Sequence, residues 1–377
     1  MVEKYIGRVL HIVSAMDRGG AETLLMNVYR NLDRSKLQFD FIVHRDDQGA
    51  YDNEIRELGG KIYNVPSLGI AGPISYVKKL SEIMSSNSYI AIHSHTDYQS
   101  GFPALAAKIA GIPHRICHSH SNNWPINDSF KQKLLLKGLQ SIIKISATQY
   151  CSCSQEAGAF LFGQKAVDNN RVTILKNGID LSQYLDETIT KTSVIKEVGL
   201  NQDAKIIGHV GKFSKSKNQA FILKVLKQLV NKDKRYVALL VGDGPIKKKI
   251  EQEAENLGLS KHVCFLGVRS DIPRLMKAFD VFLFPSIFEG FGIVTVEAQI
   301  SGTPCIMSDS VPISTDMGLG LVRYLSLEED PEKWGEEVGK AINIQKPEKE
   351  ALVKALSEKG FSIQQNIDEW MKLYRVG

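Results

Sequence analysis

Short apolar runs rich in β-branched residues recur along the chain, each followed by a helix-length stretch in which apolar positions return every three or four residues. In the first half this pattern predicts strands over 9–13, 39–43, 61–65, 90–95, 114–118, 149–152 and 171–175. Helices are expected between them over 20–31, 52–58, 74–85, 100–110 and 130–146. In the second half, strands over 205–210, 236–241, 263–266, 281–284 and 304–307 alternate with helices in the same way. Strands that are apolar on both faces and separated by helices belong in a parallel sheet covered on both sides. The alternation occurs twice, so the expected fold is α/β, with two Rossmann-like, doubly wound parallel-sheet domains.

The pair Asn177-Gly178, directly after a strand, marks the boundary between them. This gives domains over 1–176 and 177–360, with the polar stretch 181–204 read as a linker plus a short helix. In open α/β sheets, ligands bind beyond the carboxyl ends of the strands. Two such domains facing each other would form a cleft, and the chemistry should lie in the loops that follow strands.

A length of 377 residues suits two domains, and 43% hydrophobic with 24% charged residues is ordinary for a globular chain. Five cysteines are too few and too odd in number for a disulfide framework, and Cys151 and Cys153 are too close for a zinc ribbon. A reducing cytoplasm fits this usage. Glu3 and His11 interrupt what would be the basic and apolar regions of a signal peptide, and no stretch approaches the ~20 apolar residues of a membrane helix. These features exclude a secreted miniprotein, an integral membrane protein and a disordered chain. The net charge of +5 is too mild to argue for nucleic acid. It is concentrated, however: between Tyr98 and Gln155 lie Lys108, Arg115, Lys131, Lys133, Lys137 and Lys144 against the single acid Asp128.

Three strand-end loops carry candidate chemistry. After the strand 281–284 comes Pro285 to Glu289, then Gly290-Phe291-Gly292-Ile293, with a helix starting near Ile293 and Glu297 one turn inside it. The free N–H groups of such a helix start carry partial positive charge and suit a phosphate. Gly290 and Gly292 let the backbone approach a ligand. The same residues are compatible with a surface loop and a helix-dipole carboxylate. After 205–210 comes Gly211-Lys212, with Lys217-Asn218 five residues on; two lysines here could clamp a diphosphate or simply form a solvated basic loop. After the first strand comes Gly19-Gly20-Ala21-Glu22, where paired glycines open a helix as in nucleotide-binding folds. Neither the full GxGxxG fingerprint nor a P-loop is present, and Gly242-Asp243-Gly244-Pro245 also misses it.

Two triplets, His93-Ser94-His95 and His118-Ser119-His120, each end a predicted strand, and a period of two puts both histidines of a triplet on one face. Beside Asp97 they could hold a metal or line a polar pocket; the lack of further carboxylates nearby weakens the metal reading. The segment 130–146 combines leucines and isoleucines with four lysines and no acid. It reads either as a core-packing helix with solvated lysines or as a basic amphipathic helix for an anionic membrane surface, to which Lys78 and Lys79 would add.

Taken in order, these pieces resemble the retaining GT-B glycosyltransferases of family GT4, the glycosyl transferases group 1 of polysaccharide and glycolipid synthesis. The resemblance rests on Gly19-Gly20 with Glu22, His118 with His120, Asn177-Gly178-Ile179-Asp180, Gly211-Lys212 with Lys217, Gly242 to Pro245, Gly267 to Asp271, and Glu289 through Glu297. The segment 361–374 resembles the family's tail helix, which returns to the N-terminal domain. The resemblance implies that Glu289 holds donor-sugar hydroxyls, Glu297 holds the ribose, and the N–H groups of Phe291, Gly292 and Ile293 face the distal phosphate. It implies that Lys212 and Lys217 neutralise the diphosphate, that the backbone near Val268 and Arg269 lines the base pocket, and that Gly19 and Gly20 sit under the phosphates. His120, or else His118, would contact the transferred sugar. The family usually has arginine where this chain has Lys212.

The expected activity is retaining, metal-independent transfer of a hexose from a nucleotide-diphosphate sugar, UDP being the commonest nucleotide in the family, to a saccharide or polyprenyl-linked acceptor. No cofactor and no metal are expected, and no Asp-x-Asp motif occurs in the chain. The expected location is cytoplasmic, with peripheral contact to the inner face of the cell membrane. The competing readings are a metal-dependent hydrolase built on the two His-x-His pairs, and a non-transferring relative such as an epimerase or a nucleotide-sugar-binding protein.

Overall fold

The computed structural model describes residues 7–121, 130–186, 188 and 190–376. Seven strands form the first sheet: β1 (Gly7–Ile12), β2 (Leu37–Val43), β3 (Ile62–Asn64), β4 (Ala91–Ser94), β5 (His114–Ser119), β6 (Gln149–Ser152) and β7 (Val172–Ile174). Six form the second: β8 (Lys205–Val210), β9 (Tyr236–Val241), β10 (Val263–Gly267), β11 (Val281–Phe284), β12 (Cys305–Ser308) and β13 (Val322–Leu325). The orders are β3-β2-β1-β4-β5-β6-β7 and β10-β9-β8-β11-β12-β13, every pairing parallel. This is the expected pair of doubly wound sheets. The strand order reverses between β1 and β4 in one and between β8 and β11 in the other, which is where such sheets open a ligand crevice.

The chain divides into two units, one comprising the residues up to Gly178 together with those from Gly360, the other Ile179–Lys359. In the first unit the helix Ile363–Leu373 buries Ile367, Trp370 and Leu373 in one cluster with Leu24, Leu25 and Val28 of the helix Gly20–Asn31. Asn366 fixes its start by donating from Nδ2 to the Lys176 carbonyl at 2.5 Å. In the second unit β9 is buried along its whole length, as its unbroken apolar sequence requires. The helix Gln219–Lys232 covers it with Ile222, Leu223, Leu226 and Leu229.

Three features depart from the sequence expectations, and a fourth bears on a reading left open. The edge strand β13 was not anticipated, because Arg323 and Tyr324 interrupt its apolar run. Helices Gln155–Phe162 and Gln164–Asp168 occupy a stretch given no element. The supposed linker 181–204 holds two helices, Ser182–Leu185 and Lys191–Val198, the second burying Val194 and Ile195 against Leu275, Met276 and Phe279. Finally, the helix Phe130–Ser146, left open between a core-packing and a membrane-facing reading, buries only Ile143, in a cluster with Ala104 and Leu161, and Ser146. All five cysteines are free. Among the described residues no helix is long and apolar enough to cross a membrane. Glu3 and Asp128 lie outside the described residues.

Candidate active site

The two lysine- and glutamate-bearing loops of the second unit follow β8 and β11, the strands that flank its switch point. They are tied together by Ile287 N–H, which donates to the Ser216 carbonyl at 2.7 Å. Across this tie, Lys217 Nζ lies 2.5 Å from Glu289 Oε1, and the same ammonium sits 4.8 Å from the centre of the Phe284 ring. Ser308 and Ser310 both donate to the Ser286 carbonyl, which pins the start of the β11 loop. Gly292 caps the helix Ile293–Ile300 with φ +85°, a left-handed conformation that favours glycine. A side chain there would also meet Glu289 Cγ at 3.8 Å. Lys217, Glu289 and the start of this helix are thus one constellation.

Beneath the lysine loop, buried His209 accepts at Nε2 from Gln219 Nε2 at 3.2 Å and donates from Nδ1 to the Leu283 carbonyl at 3.0 Å. Gln219 also donates to the Lys212 carbonyl at 3.0 Å, which holds the Lys212 backbone while its side chain is exposed. Burial lowers His209 to about 4, so its ring is neutral. One turn into the helix, burial pushes the Glu297 carboxyl up to about 7, against the pull of a hydrogen bond from the Tyr184 hydroxyl. Val268 is exposed, whereas the Arg269 guanidinium is held by Asp271 at 2.7 Å and Glu197 at 2.8 Å. Arg269 can therefore offer a ligand its backbone more readily than its charge.

In the first unit Gly19 caps the helix Gly20–Asn31. Space beside Gly20 is open, while a Cβ on Gly19 would strike the Glu22 carboxylate. Burial raises Glu22 to about 7. His93, His95 and His118 are buried and His120 half-buried, and His11 of β1 joins them. His95 and Asp97 line a cavity of about 390 Å³ with Ser14, His44 and Arg45. Asp97 Oδ1 accepts from the His120 backbone N–H at 2.7 Å.

The histidines fall into two sets, His11, His93, His95 and His95, His118, His120, whose nearest ring nitrogens lie within 4.8 Å of one another. Neither set includes a carboxylate. Neighbouring rings stack nearly parallel, His93 on His95 at 4.3 Å and His118 on His120 at 4.1 Å. Ring nitrogens of these sets hydrogen-bond one another, His11 to His95, His95 to His120 and His93 to His118, so they are engaged without an ion and the hydrolase reading is not favoured.

Sequence reasoning missed Tyr184, Gln219, His209 and His11. Tyr184 stood in the stretch read as a linker, and His11 was noted only as a break in an apolar run. The alternation of His11 with Val9 and Val13 could have placed it on the histidine face.

Two doubly wound parallel sheets with charged loops at their switch points define the fold class, a pair of Rossmann-like α/β domains. The model of the glycosyl transferases group 1 matches residues 190–358, and that of glycosyltransferase family 4 matches residues 18–183. EpsF of Bacillus subtilis (strain 168), which is named as a glycosyltransferase, is 43% identical over 370 residues, 98% of this chain and 96% of that protein. The chain belongs to the group 1 glycosyltransferases of family 4. An Escherichia coli enzyme named UDP-Gal:alpha-D-GlcNAc-diphosphoundecaprenol alpha-1,3-galactosyltransferase is 27% identical over 236 residues, 61% of this chain and 60% of that one. The fold matches Anabaena HepE, solved with UDP-glucose, with a TM-score of 0.76 and 22% identity over 97% of this chain and 99% of that one.

Proposed function

We propose that this glycosyltransferase moves a hexose-type sugar from a UDP-sugar to a saccharide or polyprenyl-linked acceptor in surface polysaccharide or glycolipid synthesis, with retention and without a metal. The observation that carries the reading is the Lys217–Glu289 pair beside the Gly292 helix start. Transfer breaks the bond between the anomeric carbon and the diphosphate, which leaves with the electron pair, while the acceptor hydroxyl oxygen bonds to that carbon and its proton passes to the leaving phosphate. Negative charge grows on the leaving phosphate. Lys212, Lys217 and the N–H groups of Phe291, Gly292 and Ile293 would meet it as preorganised positive charge, the work a divalent ion does elsewhere.

Glu289 would accept from sugar hydroxyls, Glu297 from the ribose, and the backbone at Val268 and Arg269 would edge the base. On the acceptor side, Gly19 and Gly20 would lie under the phosphates, and His120 would touch the transferred sugar. His120 is preferred to His118 because His118 is fully buried. The lipid-linked acceptor and alpha linkage in the name of the E. coli relative support the acceptor class and retention. The exposed lysine-rich helix supports peripheral contact with an anionic membrane from the cytoplasmic side.

The test is a panel of nucleotide sugars screened for thermal stabilisation and then for transfer. A UDP-sugar is expected to raise Tm with concentration. Stabilisation by no UDP-sugar, or full transfer by Glu289→Ala, would overturn the assignment.

A further inference from the structure

Five histidines of the first unit share one face of its sheet, and the sugar contact needs only one of them. They form two chains of hydrogen bonds. In one, Tyr374 OH meets His93 Nδ1 at 2.6 Å and His93 Nε2 meets His118 Nδ1 at 3.1 Å. In the other, His11 Nδ1 meets His95 Nε2 at 3.1 Å, and His95 Nδ1 meets His120 Nε2 at 2.9 Å. This second chain runs from the core under Phe39 and Trp370 to the half-buried His120.

We infer that His95, backed by His11, is a positioning residue that sets the tautomer of His120 and presents its Nδ1–H outward. The inference rests on the reading that His120 meets the transferred sugar. Burial lowers His11 to about 3 and His120 to about 4, and His95 well below its ordinary value, so all three rings are neutral near pH 7. A neutral imidazole carries one proton, and each link of the chain needs one donor and one acceptor. Only two arrangements satisfy both links, and they differ in direction.

The buried end decides between them. Among the described residues, His11 Nε2 has no hydrogen-bond partner. One direction leaves a bare lone pair there, the other an N–H. As for backbone groups, an orphaned buried N–H is the rarer outcome. His11 therefore donates from Nδ1 to His95, and His95 donates from Nδ1 to His120. His120 accepts at Nε2 and must hold its proton on Nδ1, opposite to the preference of free imidazole side chains in water. A sugar oxygen is thus offered a donor, and the Asp97 bond to the His120 backbone holds the ring's root.

The full chain labelled with ¹⁵N-histidine tests this without any ligand, because ring nitrogen shifts report the tautomer. His120 is expected as Nδ1–H in the wild type and in His95→Asn, whose amide can donate from the Nδ1 position. It should revert mainly to Nε2–H in His95→Phe. A wild-type His120 in the Nε2–H form overturns the inference, and so does an unchanged His120 signal in His95→Phe. Should the Phe variant fail to fold, the wild-type tautomer still decides. With UDP-glucose, UDP-galactose and UDP-N-acetylglucosamine as probes, His95→Phe should release UDP about tenfold more slowly, KM staying within about twofold, and His95→Asn should recover. A raised KM at unchanged kcat would overturn the positioning role. Should no probe turn over, the functional reading fails while the tautomer result stands by itself.

Discussion

Lys217 and Glu289 illustrate how two ordinary side chains become a site. Each was legible because it follows a strand that the apolar pattern locates, and because lysines or a helix start in such a loop suit a phosphate. Their 2.5 Å approach was not legible, since it depends on β8 and β11 being neighbours in the sheet. The Tyr184 bond to Glu297 escaped for the same reason. Lys217→Ala should lower kcat by about 10²–10³-fold, the range for one lost donor to a developing oxyanion. Its far-UV circular dichroism should remain native. Lys212→Arg tests the departure from the family: a guanidinium can make two parallel bonds to a phosphate, an ammonium cannot. By isothermal calorimetry the variant should bind UDP about three- to tenfold more tightly.

Among the elements, the helix Phe130–Ser146 bears on the proposed membrane contact, a point its sequence left open between two readings. Phe130 is 81% exposed, Leu134 62%, Leu135 54% and Ile145 68%, so these four apolar side chains are not absorbed by the core. Lys131, Lys133, Lys137 and Lys144 accompany them. Each lysine near an anionic surface is worth ~1 kcal/mol, and each leucine buried in lipid ~1.5–3 kcal/mol. Binding to vesicles containing anionic lipid should exceed binding to neutral ones and weaken with salt. The double change Leu134→Gln with Leu135→Gln should reduce it about a hundredfold or more. Equal binding to both vesicle types at low salt would remove the electrostatic part of the reading. A loop shows the converse case, where sequence named a turn but not its constraint. Gly242 has φ +132°, and a Cβ there would lie 2.1 Å from the Gly211 carbonyl oxygen. Gly242→Ala should therefore destabilise the second unit by about 2–4 kcal/mol, seen as a lower Tm, because backbone rather than a flexible side chain must move.

On the scale of the molecule, two parallel sheets were legible because buried strands and covering helices write opposite periodicities into the chain, and β13 was lost only where Arg323 and Tyr324 broke that signal. The histidine face was invisible as a unit, since β1, β4 and β5 bring it together from residues far apart. Its collective effect is on acid stability. A histidine whose folded pKa is lowered contributes fully above its unfolded value of roughly 6.5, and that contribution is lost as pH falls toward the folded value. For His11, with a folded value of about 3, the loss by pH 5 is ~2 kcal/mol. It is set there by the unfolded pKa alone, and His93, His95, His118 and His120 act in the same direction. Glu22, raised to about 7, and Asp97, raised to about 6, oppose them, gaining stability as they protonate between those values and their ordinary carboxyl range. His44 and His114 are lowered as well and Glu369 is raised, so seven rings against three carboxyls leave a net loss in the first unit. In the second unit His209, lowered to about 4, is offset by Glu297, raised to about 7. Calorimetry between pH 7.5 and pH 5 should therefore show the first unit's transition falling steeply while the second unit's stays nearly level. Replacing His11 by phenylalanine, which keeps the ring and removes the proton site, should flatten the first unit's slope; parallel slopes in the two units would show that the buried imidazoles are not its cause.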